Sequence, residues 1–409
     1  MLDWLIVGGG PHGVHLALRL RVEACVPAAR LQILDDEPRL LERWRRSTAN
    51  TGMRHLRSPA VHHLDVASGS LHQFAQARAA SLSRAFTRPY KRPSLELFNL
   101  HASAVLERHD LERLHRRERA TRIEPATRGF RIRLAGGEPI EARNVVLALG
   151  APRRPEWPRW ARSLAALAPE TVDHVFDPGF ELSPQSRWRH VVVVGSGISG
   201  AQTALRLASA GRKVSLLTRH ELHVEQFDSD PGWQGPMLMA RFARERDPEA
   251  RREMIHRARH RGSMPPEVHA ALRRAIQERS IELLEGEVLR ANRRAETADG
   301  ALVLETSTGP LHADHVLLAT GHRAERPGGE MIDELVRTQG LPCAQCGYPI
   351  VDRALRWHPQ LFVSGPLAEL EIGPVSRNLS GAQRAGDRIV AWVRSSSRVA
   401  RRREGAHVP

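Results

Sequence analysis

Apolar positions along the chain fall into two patterns. Short, nearly unbroken runs read as strands buried on both faces: Leu5-Ile6-Val7, Leu31 to Leu34, Val145 to Leu149, Val191 to Val194, Val214 to Leu217, Val316 to Ala319 and Leu361 to Val363. Between them, apolar residues recur at helical spacing, as at Val14, Ala17 and Leu18 and again at Ala201, Leu205 and Ala208. Strand and helix patterns in alternation predict an α/β fold with parallel sheets. A final helix is expected after Asn378, with Ala382, Ala385, Ile389, Val390 and Val393 on one face. The stretch 220–280 reads as helical, with Ser263 placed to cap a helix opening at Pro265-Pro266.

Two strand-to-helix joins carry the chemistry. The first reads Gly8-Gly9-Gly10-Pro11-His12-Gly13, a G-x-G-x-x-G with a strand before it and a helix after it. Gly8 permits the tight turn, Gly10 lets backbone approach a pyrophosphate, and Gly13 lets helix and strand pack closely. The helix start then presents unpaired N–H groups to the phosphates. The next strand ends at Asp35-Asp36, and Asp35 lies 22 residues past Gly13, where an acid can accept hydrogen bonds from a ribose diol. The second join reads Gly195-Ser196-Gly197-Ile198-Ser199-Gly200, but its next strand ends at Thr218-Arg219, without a carboxylate. An acid there would repel a 2′-phosphate, whereas Thr218 and Arg219 can donate to it, so the second site is expected to prefer NADP(H). The plainer alternative makes Arg219 one more surface arginine. Strands ending at Gly150 and at Thr320-Gly321, and the turn Ser364-Gly365-Pro366, are expected to carry backbone past the bound dinucleotides.

Composition narrows the partners. At roughly 100–200 residues per domain, 409 residues predict two or three domains. The net charge of +15 invites a nucleic-acid reading, yet all but Lys91 and Lys213 of the 61 basic residues are arginine, spread along the chain among acids. The expectation is therefore no nucleic acid, with a diffuse positive field suited to anionic small molecules. Residues 396–409 form a basic tail expected to lack structure. No apolar run is long enough for a bilayer span, and the run at Trp4 enters glycines without a basic leader, so neither a membrane span nor a signal peptide is expected. Three cysteines suggest a reducing, cytoplasmic setting. Cys343-Ala344-Gln345-Cys346 has the spacing of a redox pair, although ordinary thiols remain the simpler reading, and no second pair exists to complete a metal site. A homo-oligomer is compatible with all of this.

In order of elements the chain resembles the flavoproteins with two dinucleotide-binding domains, and among them the class B flavin monooxygenases, specifically the ornithine/lysine N-hydroxylase-like branch. Gly8–Gly13, Trp44 with Thr51-Gly52-Met53, Gly195–Gly200 with Thr218-Arg219, and Ala319-Thr320-Gly321 carry the resemblance. It implies two Rossmann-like domains, the NADPH domain (185–325, with the insertion around 220–280) set into a discontinuous FAD domain (1–160 and 326–395). It implies FAD and NADP(H) as cofactors, with Gly8, Gly10, Pro11, His12, Gly13, Asp35, Asp36, Trp44, Met53, Gly150, Gly365 and Asn378 around FAD. Gly195 to Gly200, Thr218, Arg219, Thr320 and Gly321 would hold NADP. The activity implied is transfer of one oxygen atom from dioxygen, through a C4a-hydroperoxyflavin, to a soft nucleophile such as an amine or thioether. The flavin would carry the chemistry, leaving His12, Asn378 and His174 as weak catalytic candidates. His174 lies in a segment, Thr171 to Pro178, that lacks the Phe, Gly and Trp of the Baeyer–Villiger signature. The alternative is an NADPH-dependent flavin reductase or dithiol/quinone oxidoreductase. Against it, disulfide reductases carry cysteine pairs in places where this chain has none.

Overall fold

The computed structural model describes residues 1–78, 85–150, 155–293 and 302–405, with backbone alone for 397–405. Two parallel sheets organise it. The first has eight strands. Its parallel path runs Leu361–Val363, Ile140–Leu147, Leu2–Val7, Leu31–Asp35 and His115–Arg117. Arg356–His358 extends it antiparallel beyond Leu361–Val363, and the hairpin Ala120–Ala126/Gly129–Leu134 joins at Ile140–Leu147. The central strands are buried on both faces, as their unbroken apolar runs require: Leu5, Ile6, Val145, Val146 and Leu147 are all fully buried. Strand Leu361–Val363, more than two hundred residues further along, thus completes a sheet begun at residue 2, which makes this domain discontinuous. Aromatic packing joins its two pieces, with Trp4 5.2 Å from Phe362 and Phe362 4.9 Å from Trp392 on the final helix.

The second sheet is wholly parallel, in the order Ile281–Glu285, Lys213–Thr218, His190–Val194, His315–Leu318, Val172–His174. Helix Arg159–Leu167 belongs with it, because Ala161, Leu164 and Val172 share one apolar cluster with Val192, Leu217 and Val316. The second unit therefore starts well ahead of residue 185. The three-residue edge strand that marks its start is too short to show as an apolar run.

Three further expectations are corrected. The 220–280 insertion is helical at Pro236–Arg244, Pro248–Ala258 and Pro266–Gln277, but it divides between the domains. Leu272 and Ala275 pack in the second core, whereas Trp233, Phe242 and Ile255 lie in the first, beside Leu370, Ile372 and Val375. Ser263 caps no helix: it sits in the two-residue strand Ser263–Met264, and Pro265 occupies the cap position. The final helix runs Leu379–Gly405, so residues 396–405 continue it where a structureless tail was expected. No glycine or proline interrupts that stretch before Gly405. Residues 406–409 lie outside the described residues. Among the described residues, no helix is long and apolar enough to cross a membrane.

Candidate functional site

Strand register builds the first cradle. Val7 lies beside Leu34 and Leu147, and Leu147 beside Val363, so Gly8, Asp35, Ala148 and Ser364 line up along one carboxyl edge. Gly8 has φ +117°, and a Cβ there would meet the Ala148 carbonyl oxygen at 2.5 Å; a Cβ at Gly13 would fall 1.8 Å from the Gly8 carbonyl oxygen. Both glycines are required by packing. Gly10 differs: it caps helix Pro11–Val22 with φ −76° and ψ −174°, no side chain caps that end, and a Cβ would meet nothing within 4 Å. An open backbone turn leading into an uncapped helix start fits the phosphates of a dinucleotide.

The groups around this turn are close together. His12 Nδ1 lies 2.8 Å from Ser364 Oγ and its Nε2 3.1 Å from the Asn378 carbonyl oxygen, while Gly365, at φ +68°, packs against the same ring. Burial, reinforced by His15, pushes His12 down to about 4, so the ring is neutral at pH 7. Asn378 Oδ1 accepts from Ser380 Oγ and the Gly381 amide, making Asn378 the cap of the final helix. His12 and Asn378 thus hold the two separated chain segments in register at the cradle. The Asp35 carboxylate accepts from the Gly9 amide at 2.5 Å and the Glu37 amide at 2.9 Å, so it already braces the glycine turn. Asp36 is half-buried beside it. Gly150 is exposed, three residues past the end of strand Ile140–Leu147. Trp44 donates to Asn99 Oδ1 at 3.1 Å, and Met53 packs with it against the first domain's helical face.

The second cradle repeats the geometry. Gly195 has φ +113°, a Cβ at Gly200 would fall 1.6 Å from the Gly195 carbonyl oxygen, and Gly197 caps helix Ile198–Ser209 without a side-chain cap. Ile198 and Ser199 form its half-buried first turn. One feature is new: the backbone of Gly262, from the insertion, lies 3.3 Å from where a Gly197 Cβ would stand. Thr218 is buried and spends its hydroxyl on Ser196 and on the His220 carbonyl. Arg219 is two-thirds exposed, its guanidinium 3.9 Å from an exposed Glu287. Of the expected pair, Arg219 alone is free to meet a 2′-phosphate.

Thr320 donates to the Glu156 carbonyl and lies 3.1 Å from His174 Nε2, with Gly321 following at φ +83°. His174 is fully buried, its Nδ1 accepts from the Phe176 amide, and burial pushes it down to about 3. Both of its ring nitrogens are engaged within the domain, so it braces the strand ends. Cys343 and Cys346 are unbonded thiols on a turn closed by the Cys343–Pro349 bridge, and burial raises Cys343. That direction is opposite to the one that activates a thiolate. Among the described residues no group of side chains could hold a metal ion.

The contact that sets one domain against the other escaped the sequence reading. Asn50, buried on helix Glu42–Thr51, donates to the Val175 and Phe180 carbonyls and accepts from the Leu182 amide. Arg206, on the helix of the second cradle, reaches back to the Ala49, Asn50 and Leu182 carbonyls and packs against Gly52, whose φ is +69°. Nothing in the local pattern marks Asn50. Gly52, at the helix end, was the only trace.

The comparisons agree with this geometry. Residues 5–152 match a family model described as FAD-NAD(P)-binding. Over 105 residues the chain is 33% identical to the indole-3-pyruvate monooxygenase YUCCA1 of Oryza sativa subsp. japonica, covering 25% of this chain and 24% of that relative. The match therefore spans about a quarter of the relative's length. Among solved structures, the FAD-bound cadaverine monooxygenase of Erwinia amylovora superposes at TM-score 0.72 with 16% identity, over 96% of this chain and 94% of that one. The chain has the fold of the class B flavin monooxygenases. The L-lysine 6-monooxygenase of Pseudomonas syringae is similar at TM-score 0.70 and 22% identity, over 97% and 99% of the two chains. The bacillithiol disulfide reductase of Bacillus cereus is also similar to this chain, at TM-score 0.61 and 15% identity over 97% and 99% of the two chains.

Proposed function

We propose that the protein is an FAD- and NADPH-dependent monooxygenase acting on a soft nucleophile, an amine or thioether, of a small molecule, with dioxygen as co-substrate and no nucleic-acid partner. One observation carries this reading: two glycine turns of the same geometry, each at the carboxyl edge of its own parallel sheet, in domains pinned together by Asn50 and Arg206. Gly8 to Gly13, Gly365 and the start of the final helix would hold FAD; Gly195 to Gly200 and Arg219 would hold NADPH. The chemistry these groups supply when bound is hydride transfer and activation of dioxygen. The chain's own part is to bind, orient and exclude water. His12 keeps the FAD turn and the return segment together as a neutral ring, and Asp35 fixes the glycine turn. Burial of His174 and its bond to Thr320 hold the second strand end rigid.

The test is oxygen consumption by the purified protein in the presence of NADPH and primary amines. Uptake that depends on NADPH and on the amine is expected. Rapid electron transfer to quinone or dithiol acceptors with no oxygen incorporated would replace this reading by that of a reductase.

A further inference from the structure

The middle glycine of the second turn is covered. A Cβ at Gly10 would meet nothing within 4 Å, but one at Gly197 would stand 3.3 Å from the Gly262 Cα and 3.6 Å from its carbonyl oxygen. The side of this glycine that lacks a side chain is where the backbone lets a pyrophosphate approach. A phosphate oxygen touching Gly197 from that side would stand farther out than a bonded methyl, in space the Gly262 backbone already fills. With Gly262 in this place, that approach is closed.

Gly262 belongs to a short strap, residues 259–263, where the insertion crosses between the domains. The helix before it, Pro248–Ala258, packs Ile255 in the first core, and the helix after it, Pro266–Gln277, packs Leu272 and Ala275 in the second. The strap's own bonds are short-range. The His260 amide donates to the Asp228 carbonyl at 2.9 Å and the Ser263 hydroxyl to the His260 carbonyl at 2.6 Å. Gly262 itself has φ +70°, a left-handed turn that glycine enters and leaves at little cost.

Two arginines of the first domain hold this region down. Arg57 follows Leu56, which is buried in the first domain's helical-face core. Its Nη2 donates to the Glu225 carbonyl at 2.8 Å and to Ser263 Oγ at 3.2 Å, and its Nε donates to the Gln226 carbonyl at 3.3 Å. Strand His223–Val224 pairs with Ser263–Met264, so those carbonyls and the strap move as one unit. Arg92, fully buried, donates to the Leu56 carbonyl and lies 2.7 Å from Glu267 Oε1, in the first turn of the helix after the strap. Of the two, Arg57 reaches the strap itself.

We infer that Arg57 is a latch: it holds the strap over the second glycine turn, and NADP(H) docks on that turn only when the strap is released. The inference rests on the NADPH reading and adds a regulation to that site. Latch and nucleotide compete for one space, so binding must draw on the population in which the strap is open. A site open for a fraction of the time shows an affinity reduced by that fraction. Because the latch is mounted on the first domain, access to the second cradle depends on how the two domains sit.

The test compares the full-length, FAD-loaded protein with its Arg57→Gln variant, titrating each with NADP⁺ by calorimetry and following amide hydrogen exchange across residues 223–228 and 259–264. Without the latch, NADP⁺ should bind about tenfold tighter, the weight of a few hydrogen bonds from a charged group. Loss of a merely structural arginine would act in the opposite direction. Saturating NADP⁺ should speed exchange of the His260 amide in the unsubstituted protein, and in Arg57→Gln that amide should already exchange fast without nucleotide. Arg57→Lys should fall between the two. Ser263→Ala, which removes one contact of the latch, should tighten NADP⁺ by about threefold and serves if Arg57→Gln does not fold. NADP⁺ bound no more tightly by either variant, or strap exchange that NADP⁺ leaves unchanged or slows, would overturn the latch. Exchange in the free protein needs no nucleotide, so a strap loosened by Arg57→Gln in a protein that binds no NADP⁺ would uphold the latch and count against the cofactor reading alone.

Discussion

The two glycine turns share the backbone conformation of their first and middle glycines and differ in what surrounds them. In both, the first and last glycines are fixed by contacts within the chain: Gly8 and Gly195 at φ above +110°, and Gly13 and Gly200 with no room for a Cβ against the turn's own carbonyl. The middle glycines diverge. Gly10 faces open space, whereas Gly197 has the Gly262 backbone beside it. The acid-ended strand spends Asp35 on its own turn, and the basic-ended strand spends Thr218 but leaves Arg219 exposed. A motif of this kind therefore joins two separable demands. Its outer glycines make the fold, its middle glycine makes room, and neighbouring segments decide what enters.

Substitutions can pull those demands apart. Gly13→Ala should cost the first domain about 3 kcal/mol or more, because the new methyl meets a backbone oxygen that cannot move independently of the sheet. Gly10→Ala should leave the melting temperature of the FAD-free protein unchanged while lowering FAD affinity about tenfold, a contrast read by thermal unfolding and flavin content. If both variants lose stability equally, the division between packing and binding glycines is wrong.

The next effect belongs to the contact between the domains. Asn50→Ala removes three hydrogen bonds and strands buried carbonyls, so unfolding should become easier by about 2 kcal/mol, measured by denaturant titration. Smaller still, Arg219→Ala should raise the Michaelis constant for NADPH about tenfold and leave that for NADH nearly unchanged. Equal effects on the two would return Arg219 to the plain surface.

The pH dependence sharpens the comparison from another side. His12 and His174 brace the first and second cradles, and burial lowers both well below the ordinary value of 6.5, to about 4 and about 3. A histidine held neutral in the folded state favours folding fully above pH 6.5. That contribution is lost as pH falls from 6.5 toward 4, because the unfolded chain then takes up the proton first. Stability measured across pH should therefore be level above 7 and decline below 6.5, with a shallower decline in His12→Gln. Least of all, Cys343→Ser should leave NADPH oxidation unchanged; loss of turnover would restore the cysteine pair as a redox centre.

The sequence showed what is local. Both turns, their strands and the helices after them are contiguous, and the steric demand on Gly13 and Gly200 comes from the turn's own first glycine, whereas Gly8 and Gly195 are crowded by the distant Ala148 and Ala319. The resemblance supplied the order of the domains. What escaped depends on contacts between distant segments. Asn50 carries no periodicity that marks it as a bolt to Val175, Phe180 and Leu182. The insertion's helices were visible, but the choice of Trp233, Phe242 and Ile255 to pack on the first domain was not. Val172–His174 was too short to register as a strand. Nothing in the linear spacing marks Glu369 and the arginines that pair with it as buried, because spacing does not report burial. Asp35 and Thr218 each bond to their own turn, a partner that their places at the strand ends do not reveal.

The most direct measurement is the visible spectrum of the purified protein before anaerobic NADPH, after it, and after readmission of air. The account predicts an oxidised flavin spectrum that bleaches rapidly with one equivalent of NADPH, more slowly with NADH, and returns in air. A flavin that is bound but stays oxidised under NADPH would contradict the claim that the two cradles serve one reaction.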